Sequence, residues 1–178
     1  MNITVFLGSA MGSDPAIRAA LCEFAAWIGD HGHALIYGGS KIGLMGVLAE
    51  TAKAHGARVT GIEPRFFVEA CVQFDGADEL IVTEDMADRK DKLIRMADVV
   101  VAFPGGMGTL EELSQALSMV NLGLAAPRCV VYNVHGYYDP LRDMIDHMVK
   151  MGFYPAARRD ALRFAGSLQE LADAIEGA

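Results

Sequence analysis

The stretch Asp98-Val99-Val100-Val101-Ala102-Phe103-Pro104-Gly105-Gly106-Met107-Gly108-Thr109-Leu110-Glu111-Glu112 decides the fold. Val99 to Phe103 is a short, uninterrupted apolar run, the pattern of a strand covered on both faces in a parallel sheet. Pro104 ends the run, because proline has no N–H to donate to a ladder. Gly105, Gly106 and Gly108 then permit backbone angles and a close approach that side chains forbid. Thr109 opens a helix, with Glu111 and Glu112 at its start and Leu110, Leu113 and Leu117 as apolar positions. Such a loop gathers free N–H groups at the positive end of a helix dipole, which makes it a seat for phosphate. A tight strand-to-helix turn without a ligand would account for an isolated Gly-Gly. Three glycines and a threonine, followed at once by two carboxylates, weigh against that.

The same rhythm extends in both directions. Ile3 to Leu7 reads as a strand, with Gly8, Ser9 and Gly12 in the loop after it. Asp14 and Pro15 suit an N-cap and a first helical position, and Ile17, Leu21, Phe24 and Ile28 follow at helical spacing. Ala34 to Tyr37 is a second strand, and Leu44, Val47 and Leu48 belong to the helix after Gly38 and Gly39. A third strand spans Arg58 to Ile62, with Pro64 as its stop. Phe66 to Gly76 fits a short helix or an irregular excursion equally well. Glu79 to Thr83 is a strand and Asp85 to Met96 a helix. Beyond the central stretch come a helix to about Leu122, a strand from Cys129 to Tyr132 and a helix from Tyr138 to Met151. Phe164 sits in a short extended piece, and Leu168 to Ile175 forms the last helix. Strands alternating with helices imply an α/β fold, a Rossmann-like, doubly wound parallel sheet with helices on both faces. Ligands bind such sheets beyond the C-terminal strand edge, where all of these loops should gather. No repeat or linker divides the chain, so residues 1–178 read as a single nucleotide-binding α/β domain.

Length and composition agree. The 178 residues, 52% of them apolar, suffice for one good-sized core, and 19 glycines suit many tight turns. A net charge of −8 argues against nucleic-acid binding, which needs a basic face. It does not oppose a small phosphorylated ligand held by local amides and one arginine. Cys22, Cys71 and Cys129 are odd in number and far apart, so they offer neither a redox pair nor a zinc knuckle and read as reduced, buried thiols. The histidines do not fall at metal spacing, and no metal is expected. Without a signal-peptide pattern or a membrane-spanning apolar run, a cytoplasmic protein with no membrane partner is the expectation.

Gly8-Ser9-Ala10-Met11-Gly12 lacks the GxGxxG spacing of a dinucleotide site, and Glu111 stands where Gly106-Met107-Gly108 would need its third glycine. No Gly-Lys-Ser/Thr ending marks a Walker loop either. A mononucleotide site survives. Tyr37-Gly38-Gly39-Ser40-Lys41-Ile42-Gly43-Leu44-Met45-Gly46 forms a second glycine loop, for which a purely structural use competes with a second pocket wall. In Asp85-Met86-Ala87-Asp88-Arg89-Lys90, Arg89 shares a helix face with Leu93 and Met96, so it should point inward near the helix start. A cation at the positive end of a helix calls for an anionic partner. Lys90 and Lys92 read as solvated. Glu111 and Glu112 favour the helix dipole in any case, and because adjacent helical residues diverge by about 100° only one should face a ligand.

At these residues the sequence resembles the LOG family, the cytokinin riboside 5'-monophosphate phosphoribohydrolases. The likeness rests on Pro104 to Glu112, the family's PGGxGTxxE, and on Tyr37-Gly38-Gly39 with Gly43-Leu44-Met45-Gly46. Met86 with Arg89-Lys90 and Asn133 with Gly136-Tyr137-Tyr138 add to it. The resemblance implies metal-free, cofactor-free hydrolysis of the N-glycosidic bond of AMP or an N6-substituted AMP, giving free base and ribose 5-phosphate. It places the family's essential arginine and glutamate on Arg89 and Glu112. Substrate contacts would come from Gly105, Gly106, Met107, Gly108, Thr109 and Glu111, and from Met86 and Lys90. Gly39 and Ser40 of the second loop and Gly8 and Ser9 of the first would add to them. The family usually has a histidine where Ala87 stands and a glycine where Ser40 stands. A homodimer is also implied, and Leu113, Leu117 and Val120 offer apolar area for it, although core packing would use them as well.

The alternative is a non-catalytic nucleotide or molybdenum-cofactor carrier of the same fold. Arg89 and Glu112 together favour the enzyme. Decarboxylation of lysine would need a Schiff-base lysine, and none of Lys41, Lys53, Lys90, Lys92 and Lys150 stands in a setting that argues for one.

Overall fold

The computed structural model describes residues 1–177, and strands and helices alternate along them. The first half comprises β1 (Asn2–Phe6), α1 (Pro15–Asp30), β2 (Ala34–Tyr37), α2 (Gly43–Ala54), β3 (Arg58–Pro64), α3 (Arg65–Glu69), β4 (Glu79–Thr83) and α4 (Met86–Arg95). The second comprises β5 (Val99–Ala102), α5 (Met107–Asn121), β6 (Arg128–Tyr132), α6 (Asp139–Lys150), α7 (Ala156–Ala161), β7 (Arg163–Ala165) and α8 (Leu168–Glu176). The strands pair in parallel in the order β4-β3-β2-β1-β5-β6-β7. The expected doubly wound α/β sheet is present.

Burial explains why the valine run is a strand. All four residues of β5 are fully buried. Val99 and Val101 join Leu21, Phe24, Leu48 and Leu171 on the face covered by α1, α2 and α8. Val100 and Ala102 join Leu93, Leu113, Met119 and Ile145 under α4, α5 and α6. Successive side chains of a strand point to opposite faces, so only an unbroken apolar run satisfies both layers. Each fully buried aliphatic side chain contributes roughly 1.5–3 kcal/mol. Leu113 belongs to this core, and Leu117 and Val120 pack against it, so core packing uses all three.

The winding reverses between β1 and β5, which pair as Phe6 with Ala102 at their upper ends. Their following loops leave in opposite directions and open a crevice there. The Gly8 amide still donates to the Pro104 carbonyl at 3.2 Å, pinning the two loops together at the crevice floor.

Several boundaries differ from the sequence reading. α5 begins at Met107, with extended Gly106 as its N-cap, two residues before Thr109. β3 continues past Ile62 and takes Glu63 into the sheet. Within 66–76 the short α3 buries no residue of its own. The chain then returns beside the second glycine loop, where Lys41 donates to the Val72 carbonyl and Phe74 to that of Gly39, each at 2.8 Å. α7 adds a helix that the sequence pattern does not mark. Cys129 is buried as expected, but Cys71 is exposed, on a residue with φ of 57° in that returning segment. Among the described residues, no helix is long and apolar enough to cross a membrane.

Candidate functional site

α4 is capped from within. The Asp85 carboxylate accepts from the amides of Ala87 and Asp88, both at 2.9 Å, which satisfies two of the free donors at that helix start. One turn on, Arg89 shares the buried face with Leu93 and is 7% exposed. Its guanidinium is largely shielded from bulk water, and all three nitrogens find acceptors. Nε donates to the Ile62 carbonyl at 3.0 Å, Nη2 to the Gly38 carbonyl at 3.2 Å and Nη1 to Glu112 Oε1 at 3.0 Å. The two carbonyls lie at the ends of β3 and β2, so the sheet itself aims the guanidinium at α5. A Cβ on Gly38 would lie 2.1 Å from Arg89 Nη2, so any side chain there would displace the guanidinium from this position.

Glu112, in the second turn of α5, is 12% exposed in its side chain. Burial pushes its carboxyl above the ordinary carboxylate range, and the Arg89 charge opposes that shift. Removal of either partner would leave a buried, uncompensated charge, whereas the intact pair is close to neutral for stability. Such a costly arrangement marks a functional candidate.

The start of α5 is built differently from that of α4. Among the described residues no side chain caps it, and the first helical bond runs from the Leu110 amide to the Gly106 carbonyl at 3.1 Å. The amides of Met107, Gly108 and Thr109 therefore have no acceptor within the helix. The glycines here do not adopt left-handed angles; their use is spatial. A Cβ on Gly105 would meet Thr109 Oγ1 at 2.1 Å, whereas one on Gly106 or Gly108 would meet nothing within 4 Å. The segment that carries the open amides borders open space. Tyr137 secures the loop from the other side, its hydroxyl donating to the Gly105 carbonyl at 2.5 Å, while the Tyr138 hydroxyl donates to that of Phe103 at 2.8 Å.

These elements enclose a cavity of about 380 Å³ beyond the C-terminal edge of β1 and β5. Of the residues expected at a site, Arg89, Glu112, Glu111, Met86, Gly8 and Ser9 line it, together with the segment Gly106 to Thr109. Glu111 stands at the rim, 60% exposed in its side chain, and Glu112 lies inside. Four expected residues are not on the wall. Gly105 packs against Gly8 and Thr109. Gly39 packs against Glu63, and the Ser40 hydroxyl accepts from the Ile42 amide at 3.1 Å within its own loop. Lys90 is 14% exposed in its side chain and pairs with Glu111, instead of being solvated. Gly38, Met45 and Phe67 line the cavity without having been expected there. Phe67 lay in the illegible stretch, but Gly38 and Met45 could have been found from their place in the second glycine loop. A larger cavity, about 710 Å³, lies at the β7 edge among α5, α7 and α8, away from Arg89 and Glu112.

Residues 45–175 match the family described as "Possible lysine decarboxylase". The cytokinin riboside 5'-monophosphate phosphoribohydrolase LOG of Oryza sativa subsp. japonica is 33% identical over 175 residues, covering 98% of this chain and 72% of that protein. The chain belongs to the LOG family. A second LOG relative, the cytokinin riboside 5'-monophosphate phosphoribohydrolase LOG5 of Arabidopsis thaliana, is 33% identical over 98% of this chain and 77% of its own. Among solved structures, the molybdenum cofactor binding protein from the phototrophic bacterium Rippkaea orientalis superposes with a TM-score of 0.73 at 22% identity. That likeness spans 99% of this LOG-family chain and 95% of the other, and it concerns the fold.

Proposed function

We propose that the protein hydrolyses the N-glycosidic bond of AMP or an N6-substituted AMP, releasing the base and ribose 5-phosphate. The observation that carries this reading is the buried Arg89–Glu112 pair, at 3.0 Å, lining the same cavity as the uncapped amides of α5. The activity named for the relatives at 33% identity supports it.

The amides from Gly106 to Thr109 take the 5'-phosphate at the positive end of α5. Glu112 then lies beside the ribose. As the C1'–N9 bond breaks, positive charge grows on the sugar ring, and the carboxylate stabilises it and orients the attacking water. The water oxygen bonds to C1', the bond electrons leave with the purine, and the water's proton ends on the departing base. Arg89 stabilises the anionic side as a fixed charge, because a guanidinium does not give up its proton near neutral pH. Its charge also opposes the upward push that burial gives the Glu112 carboxyl. Lysine decarboxylation fits poorly, since among the described residues no lysine lines the cavity. A homodimer belongs to the same proposal and is checked by light scattering.

Incubation of the pure protein with AMP and with N6-isopentenyl-AMP, followed by chromatography of free base, tests the reading. Release of adenine or its N6 derivative is expected. Tight binding with no base released would instead favour a nucleotide or cofactor carrier.

A further inference from the structure

The chemistry proposed above makes no use of Glu63. This residue follows Ile62, whose carbonyl accepts from Arg89 Nε. It is 1% exposed, and its Oε2 has no hydrogen-bond partner among the described residues. Gly38 and Gly39 separate it from the guanidinium. A Cβ on Gly38 would lie 2.1 Å from Arg89 Nη2, and one on Gly39 would lie 2.3 Å from Glu63 Oε2. Two consecutive glycines therefore carry a cation against one residue and a carboxylate against the next, with no side chain between them.

The groups facing Glu63 come from two elements. The Arg89 charge, carried by α4 across the two glycines, favours its charged form without a hydrogen bond to it. Tyr37 faces it from β2, with a buried hydroxyl that has no hydrogen-bond partner among the described residues. Glu112 of α5 lies beyond Arg89, and Glu50 of α2 acts on Tyr37 from its other side. Arg65, two residues along the chain, pairs with Glu84 at 3.0 Å.

We propose that Glu63 is a positioning residue that acts through Arg89 and sets how much guanidinium charge is left for Glu112 and a bound anion. An ionised Glu63 makes Arg89 serve two carboxylates at once. A protonated Glu63 leaves the cation to Glu112 and the ligand. Burial pushes the Glu63 carboxyl up to about 7, so both forms are populated near neutral pH. The site is accordingly more competent towards an anionic substrate on the acid side of neutrality. The consequence for turnover rests on the phosphoribohydrolase reading, whereas the coupling between Glu63 and Arg89 does not.

The test follows the Arg89 Nε resonance by NMR from pH 5.5 to 8.5 in the ligand-free wild type and in Glu63→Gln, alongside the rate of base release from AMP. The expected result is an inflection near pH 7 in the wild type that is absent from Glu63→Gln. Base release should fall on the order of tenfold over this range in the wild type and much less in the variant. The second ionisation of the substrate phosphate, near pH ~6, acts on both proteins and cancels in the comparison. A flat Arg89 signal in the wild type, or the same inflection in Glu63→Gln, would overturn the proposal. Should the variant not fold, a ¹³C titration of the Glu63 carboxyl in the wild type replaces it: a midpoint that coincides with the Arg89 inflection upholds the proposal, and one that does not overturns it. An Arg89 inflection that depends on Glu63, with no base released by either protein, upholds the coupling and sinks the hydrolase reading instead.

Discussion

Two glycine loops leave the sheet on either side of β1, one after β5 and one after β2. Where a side chain would stand on Gly106 or Gly108 there is nothing within 4 Å. On Gly38 and Gly39 the same space is filled by Arg89 Nη2 and Glu63 Oε2. The loop after β5 is therefore open towards a ligand, and the loop after β2 is closed around the protein's own charges. Glycine serves access in one case and close packing in the other. The first loop presents donors, and the second fixes the cation that faces them.

Substitutions that push on one side of this contrast should separate binding, turnover and stability. The largest effect is expected from Glu112→Gln, which keeps the shape of the side chain but removes the charge Arg89 holds. Base release should fall by about 10²–10³-fold, while thermal unfolding shows a folded protein; unchanged turnover would contradict the role assigned to Glu112. Gly39→Ala attacks the closed loop. With φ at 87° and a carboxylate oxygen where its Cβ would go, it should destabilise the protein on the order of 3 kcal/mol by denaturant titration.

Glu63→Gln should change the shape of stability against pH. The folded-state value of about 7 lies above the ordinary 4.5, so the contribution is fully present below pH 4.5 and is lost as pH rises to 7. The wild type should lose about 3 kcal/mol across that window, and the variant should show a flatter curve. Gly106→Ala attacks the open loop. Its Cβ meets no protein atom, so stability should change by less than ~0.5 kcal/mol. Affinity for ribose 5-phosphate by calorimetry should nevertheless fall on the order of tenfold. Asp85→Ala, which uncaps α4, should cost about 1 kcal/mol in chemical denaturation.

Elements with strong burial signals were legible in the sequence. The β5 run needed apolar residues for both faces, and Asp14-Pro15 announced α1 through its cap. The spacing of Arg89 and Leu93 showed which face of α4 is buried. Elements that bury little were not legible. α3 and α7 have no buried residue, and α7 is tied to its surroundings by surface contacts such as the ion pair of Arg159 with Asp146. No hydrophobic period could reveal them. The two glycine loops looked alike because composition does not report what stands opposite a missing side chain. Glu63 carried a signal that could have been read, an acidic residue directly before Pro64 at the strand edge where the loops gather. The apolar pattern of the strand stops at Ile62, so it does not take Glu63 into the sheet.

The contrast between the two loops is tested most directly by titrating the ¹⁵N-labelled protein with ribose 5-phosphate and following the backbone amides. The amides of Gly106, Met107, Gly108 and Thr109 should shift together and saturably, while those of Gly39, Ser40 and Lys41 move little. Shifts concentrated at Gly39 to Lys41, with residues 106–109 unmoved, would contradict the phosphate seat on which the proposed chemistry stands.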